Sequence, residues 1–327
     1  MRAEFAEAKR LAGGADLRDV ARFWASHNRD GEIVAATVGE AIEHFLEAKE
    51  GRAVSDFHAK TLRSHLGLFC EGHGGMRLSL VSRAEVLAYL LAMSKRGAHP
   101  RTVANHRGTL ANFFGWCQRN KLVAMSPMVE ITEGDLPIVP GGAIGVLSVA
   151  QCAAVMRWVD EHRPRFAAAL ALQLFAGIRV AEVRRLRWEE NFDFTQRAVI
   201  LRGWRLEGGK ARRVVKTGDD WALRDLPENL WLWLEKYRAQ GAVTCPANNA
   251  LALMRRAFAK LKPPVAEWPH NALRHTFCTM LMSLHGNANL VATLSRHSNA
   301  QTLFNHYVAA LVSKKEAERF CKIVPTR

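Results

Sequence analysis

Near its C-terminus the chain reads His270-Asn-Ala-Leu-Arg274-His-Thr, then Ser-Arg-His297, then Tyr307, with Ala-Gly-Ile-Arg179-Val-Ala-Glu182 far upstream. These residue types in this order suit the breaking of a phosphodiester by a tyrosine. Attack at phosphorus piles negative charge on the non-bridging oxygens, and a guanidinium fork binds two of them at once without losing its own charge. Arg179 and Arg274 are the candidates for that clamp. A phenol oxygen attacks phosphorus and conserves the bond energy in a phosphotyrosine that a free hydroxyl later reverses. Tyr307 is the candidate nucleophile. Of the other two tyrosines, Tyr89 falls on an apolar stripe and Tyr237 in an amphipathic helix, where core packing accounts for each. With an ordinary pKa near 10, only about one tyrosine in a thousand is ionised at neutral pH, so a proton acceptor is needed. His270 or His297 could take the proton or bind the phosphate, whereas His275 and His306 read as helix-packing or supporting residues. Arg179 and Arg274 each also have a structural reading, as an ion-pair partner of Glu182 or another carboxylate.

The elements that must position these groups belong to a chain of 327 residues, longer than one ordinary hydrophobic core and expected to form two domains. Lys and Arg number 46 against 31 Asp and Glu, a formal charge of +15 that favours nucleic acid as partner over an anionic membrane or an acidic protein. Charge dispersed over a basic enzyme is the alternative. The opening Met-Arg-Ala-Glu-Phe carries acid early and has no apolar run before a small-residue cleavage site, so no signal peptide is expected. The longest apolar run, Phe166 to Ile178, is broken by Gln173, is too short to span a bilayer, and reads as a buried helix. Six scattered cysteines without paired spacing point to reduced thiols and no metal.

Residues 1–36 read as a loosely attached helical extension. Thr37-Val-Gly-Glu40 and Ser82-Arg-Ala-Glu85 are capping boxes that start helices in a first domain over 37–131. Val86, Leu87, Leu90, Leu91 and Met93 form one stripe, and Val103, Leu110, Phe113, Phe114 and Cys117 another behind Pro100. The opposite face of the second helix is assigned Arg101, Asn105, His106, Arg107 and Arg119, which suits a phosphate backbone or simply a solvated surface. Pro and Gly break all periodicity over the linker 132–146. Ser148-Val-Ala-Gln151 caps the first helix of a second domain over 147–327. Within it, Ala198 to Trp204 and Arg212 to Val215, separated by Gly208-Gly209, predict a two-stranded ribbon, and helices are expected over 229–237, 250–261 and 272–284. Lys314 to Phe320 is a candidate last helix, either docking on a neighbouring protomer or capping its own domain.

Gly177-Ile-Arg179-Val-Ala-Glu182-Val with Leu186-Arg-Trp188, and Leu273-Arg274-His275-Thr276-Phe277 followed by a histidine and a tyrosine, carry a resemblance to the tyrosine recombinase or phage integrase family. Residues 147–327 resemble its catalytic domain, and residues 37–131 more weakly its helical, SAM-like core-binding domain. Two places depart from the family pattern: Asn271 stands three residues before the second arginine, with His270 four before it, and Leu294-Ser-Arg296-His297 replaces Leu-Gly-His with one extra residue before Tyr307.

The resemblance implies a mainly α fold with a small β-sheet: a helical core-binding domain plus a mixed α+β catalytic domain, closing around double-stranded DNA as a clamp. It implies site-specific cutting and rejoining of duplex DNA through a covalent 3′-phosphotyrosine, with Arg179, Lys210, His270, Arg274, His297 and Tyr307 as the catalytic set. A lysine from the β-ribbon protonates the departing 5′ oxygen in this family; Lys210 is taken for that role, with Lys216 as the other register. Arg101, Arg107, Arg212, Arg213 and Lys216 are the candidate DNA contacts. A homotetramer in the synaptic complex, accessory DNA-bending proteins, and a cytoplasmic, nucleoid-associated setting follow from the same likeness. No nucleotide loop, dinucleotide turn or metal motif is found, so no cofactor, metal or membrane is implied. A catalytically impaired DNA-binding relative, or an enzyme relaxing DNA in the manner of type IB topoisomerases, are the alternatives.

Overall fold

The computed structural model describes residues 36–50, 56–139, 144–207, 210–213, 220–238, 243–296 and 312–326, together with residues 13, 16, 18–20, 301 and 307. The expected extension over 1–36 lies almost wholly outside them. The chain divides into two compact units, Met1–Gly141 and Gly142–Arg327.

The first unit contains α1 (Val38–Glu50), α2 (Asp56–His73), α3 (Arg83–Lys95) and α4 (Pro100–Arg119). Their starts are set locally. The Thr37 amide donates to the Glu40 carboxylate at 2.8 Å, Ser82 and Glu85 complete a reciprocal box at α3, and Pro100 occupies the first turn of α4, where no amide is needed. Phe45, Phe69, Phe113 and Phe114 are fully buried where the helices meet, and edge-on rings such as Phe45 against Phe113 at 5.6 Å fill that core.

The basic face assigned to α4 needs correcting. His106 is buried, stacked on His65 at 3.8 Å and within 3.1 Å of the Tyr89 hydroxyl. Arg107 donates through Nε and a terminal nitrogen to the Ile131 carbonyl, at 3.1 and 2.7 Å, tying the helix to the chain that leaves the unit. Arg101 is exposed.

In the second unit, α5 (Val149–His162) starts at the Ser148–Gln151 box, and α6 (Ala167–Phe175) is buried on every side, as a helix apolar all round must be. After α7 (Val180–Val183) and α8 (Trp188–Asn191) come β1 (Phe192–Asp193), β2 (Ala198–Leu201), β3 (Trp204–Glu207), β4 (Lys210–Arg213) and β5 (Trp221–Leu223). The single long strand expected over 198–204 is two. β2 pairs with β1 and β5 in an antiparallel three-stranded sheet, while β3 and β4 form a separate hairpin whose last pair, Glu207 with Lys210, brackets Gly208-Gly209. The break falls where the Gly203 amide donates to Asp220 at 2.7 Å and Arg202 pairs with the same carboxylate at 2.9 Å. Three long helices follow: α9 (Glu228–Arg238), α10 (Asn248–Phe258) and α11 (Ala272–His285). α9 and α11 pack on α6, so the arginine-bearing helix α11 rests on the most buried element of the unit.

Short helices α12 (Ala288–Ser295) and α13 (Lys314–Phe320) follow among the described residues. α13 caps its own unit: Ala317 and Phe320 are fully buried, the Phe320 ring lies 5.1 Å from Phe175, and the amide of Asn229 and the indole of Trp233 donate to the Ile323 carbonyl. Beyond it, Asp160 is buried and accepts from Lys236, Tyr237 and Thr326; those hydrogen bonds hold its carboxyl below the ordinary range against the opposing effect of burial. No described helix is long and apolar enough to cross a membrane.

Candidate active site

Arg274 lies in the first turn of α11 and is buried. Its two terminal nitrogens donate to carbonyls from different segments, Gly177 after α6 and Ser295 at the end of α12. Burial pushes its pKa down, opposed by the neighbouring Cys278 and Glu182. The last carbonyls of a helix have no partner inside it and carry partial negative charge, which makes the end of α12 a natural seat for a guanidinium.

Arg179 takes the next carbonyl along. α12 ends at Arg296 in the left-handed conformation (φ 56°), and the Arg296 carbonyl accepts from Arg179 at 3.2 Å. Two successive backbone carbonyls thus fix two arginines. Arg179 also meets Glu182, through its amide at 3.2 Å and its guanidinium at 3.3 Å, the ion pair of the structural reading. Glu182 is buried and binds the Arg296 side chain as well, at 3.0 Å. One carboxylate therefore orients two guanidinium groups.

Gly177 adopts φ +60°, and a Cβ there would overlap the Phe277 ring, so only glycine lets the segment before Arg179 approach α11 this closely.

Arg179 and Arg274 line one cavity of about 240 Å³, with His270, Asn271, Arg184, Arg255 and Trp268 on its walls. Asn271 is left-handed (φ 53°), a conformation asparagine tolerates, and brings both itself and the exposed His270 to this cavity just ahead of α11.

Tyr307 is 2% exposed and packs with Phe277, Cys278, Leu281 and Val291. Its hydroxyl lies 2.7 Å from Nδ1 of His275, the residue next to Arg274. Burial raises the phenol pKa well above its usual value, Cys278 raises it further, and the charges of Arg274 and Arg179 pull it back. Cys278 is itself pushed up by burial, which keeps it a neutral thiol.

Of the remaining candidates, Lys210 opens β4 beside the hairpin turn, and Arg212 and Arg213 follow it on the same strand. His297 and Lys216 lie outside the described residues, as does His306. Sequence reasoning left His275 among packing residues and gave no part to Arg296 or Cys278. Spacing held one signal for Cys278: it is four residues after Arg274 and three after His275, which sets it beside each of them on α11.

The model for the Phage integrase family matches residues 146–314. The chain belongs to the phage integrase family. Among known proteins this integrase-family chain is similar to the tyrosine recombinase XerD of Pseudomonas putida, 26% identical over 308 residues, which cover 85% of this chain and 96% of that protein. XerD of Xanthomonas axonopodis pv. citri is 28% identical over 294 residues, 80% of this chain and 90% of that protein. In fold, the chain is similar to the Tn1549 transposon integrase in complex with transposon right end DNA, with a TM-score of 0.66 at 17% identity, over 86% of this chain and 98% of that one. A lambda integrase tetramer bound to a Holliday junction gives 0.60 at 13% identity, over 91% and 86%. The mainly helical fold with a small sheet is that of these integrases.

Proposed function

We propose that this integrase-family chain is a site-specific DNA recombinase that cuts and rejoins duplex DNA through a covalent 3′-phosphotyrosine. The observation that carries the reading is the convergence of Arg179 and Arg274 on one cavity, held by the successive carbonyls of Arg296 and Ser295, with the Tyr307 hydroxyl bound to His275, the residue next to Arg274. In this scheme the two forks hold the non-bridging oxygens of the scissile phosphate, since each guanidinium has five N–H donors and the backbone carbonyls occupy only some of them. Tyr307 attacks phosphorus, and Lys210, the first residue of β4, protonates the leaving 5′ oxygen. His270 borders the phosphate, and His297 completes the set. Arg101, Arg212, Arg213 and Lys216 contribute phosphate contacts; Arg107 does so only through donors not engaged by Ile131. Four copies on two duplexes exchange strands in pairs, with accessory DNA-bending proteins where the target requires them.

Trapping on nicked suicide DNA tests the reading. The wild-type chain should give a denaturant-resistant protein–DNA adduct, and Tyr307→Phe should give none while binding the same DNA. An adduct that persists in Tyr307→Phe removes the mechanism; plasmid relaxation by a monomer without recombinant product would assign a topoisomerase instead.

A further inference from the structure

We propose that His275 is the base that takes the proton from Tyr307, an assignment that rests on the recombinase reading above. The phenol meets one imidazole among the described residues, and it is this one: Oη lies 2.7 Å from Nδ1, with the rings 5.8 Å apart and tilted by 46°. That is hydrogen-bond reach for a general base. For the hydroxyl to donate, His275 carries its proton on Nε2 and leaves the Nδ1 lone pair toward the phenol.

Among the described residues, the other groups around the phenol are poorer acceptors. Cys278 touches the same phenol, but burial raises its pKa and leaves it a thiol, which holds no lone pair basic enough to compete. Arg274 and Arg179 are cations and lower the cost of a phenolate without accepting a proton. His270 borders the arginine cavity and is exposed.

Placement on α11 explains how one helix serves both halves of the reaction. Adjacent residues on a helix point about 100° apart, so Arg274 faces the carbonyls of Gly177 and Ser295 while His275 faces Tyr307. The base and one phosphate-binding cation are therefore held by the same turn, itself anchored where Thr276 Oγ1 accepts the Leu147 amide at 2.9 Å and donates to the Ala272 carbonyl at 2.8 Å.

The step balances. The Tyr307 O–H proton moves to Nδ1 of His275 as the phenol oxygen bonds to phosphorus; the bond from phosphorus to the 5′ oxygen breaks, and its electron pair leaves with that oxygen, which takes a proton from the separate acid. In rejoining, a 5′ hydroxyl returns its proton to the deprotonated acid as its oxygen bonds to phosphorus, the tyrosine oxygen departs, and it recovers the proton from the imidazolium.

The test uses the full chain and two nicked suicide duplexes, one with the natural 5′ oxygen at the scissile phosphate and one with bridging sulfur, a leaving group that needs no acid. His275→Asn keeps a polar atom near the place of Nδ1 but cannot accept a proton at neutral pH. It should form adduct on the order of 100-fold more slowly on both duplexes, with unchanged DNA affinity. His275→Gln, scored per DNA-bound protein, replaces it if the asparagine variant melts early. Adduct formation at the wild-type rate overturns the assignment, because hydrogen-bonded positioning alone then suffices. Recovery on the sulfur duplex alone also overturns it, since His275 would then act on the leaving group. A wild-type chain that forms no adduct on either duplex overturns the recombinase reading, and the base with it.

Discussion

Arg296 donates to the carboxylate of Glu182 at 3.0 Å, and both side chains are 5% exposed. Removing one member of such a pair strands the other charge away from water, at a cost of about 3–5 kcal/mol. Glu182 serves Arg179 as well, so the two sides of the pair are unequal. Glu182→Gln should lower the denaturation midpoint more than Arg296→Met, which leaves Glu182 with Arg179 as partner. Urea titration of the two variants against the parent chain decides this, and equal losses would contradict the shared-carboxylate arrangement.

Arg274 bridges carbonyls of Gly177 and Ser295 with its two terminal nitrogens. A lysine supplies the same charge as a single point and cannot span them. Arg274→Lys should therefore keep DNA affinity near the parent value while cleaving two to three decades more slowly, about 3 kcal/mol of lost transition-state stabilisation. Single-turnover adduct formation at saturating protein measures the rate, and a parent-like rate would show that charge alone is required.

The first unit should lose stability in acid. Burial depresses the pKa of His106 from 6.5 to about 4, with the charge of neighbouring His65 acting in the same direction. Burial depresses His65 as well. A histidine whose folded pKa lies below its unfolded value binds its proton more readily in the unfolded chain, so stability is complete above about pH 6.5 and falls as the pH drops toward 4. Melting midpoints measured between pH 7 and 4.5 should decline accordingly, and His106→Gln should flatten the decline. A His106→Gln curve parallel to the parent would place the acid sensitivity elsewhere.

DNA binding should weaken steeply with salt. A formal charge of +15 favours release of condensed counterions, and log K should fall against log salt with a slope of about −0.9 per phosphate neutralised. Replacing Arg212 and Arg213 together by alanine should shallow that slope without abolishing adduct formation at low salt. Filter binding at several salt concentrations checks both, and a salt-insensitive affinity would contradict the electrostatic basis of binding.

Local chemistry was the most legible part of the chain. The Thr37, Ser82 and Ser148 caps involve partners three residues away, so their residue types alone announce helix starts that the structure has. The paired arginine motifs and the late tyrosine named the residues now found about one cavity and its neighbouring core. Long-range contacts were less visible. The break between β2 and β3 depends on Asp220, seventeen residues beyond Gly203. His106 was set on the polar face of α4 although it lies three residues after Val103 and four before Leu110, spacing that turns it inward; its polarity concealed the partners Tyr89 and His65 that satisfy it there. His275 carried no mark distinguishing it from a packing histidine, because its contact with Tyr307 joins positions thirty-two residues apart.

The carbonyl of Gly177 receives Arg274, while its α-carbon faces the ring of Phe277 in a left-handed turn. The spacing between the two cations is thus governed by the missing methyl at this position. Any bulkier residue would wedge the strand of chain before Arg179 off the helix bearing Arg274, so drift at 177 would misalign the two guanidinium groups before it disturbed the hydrophobic interior.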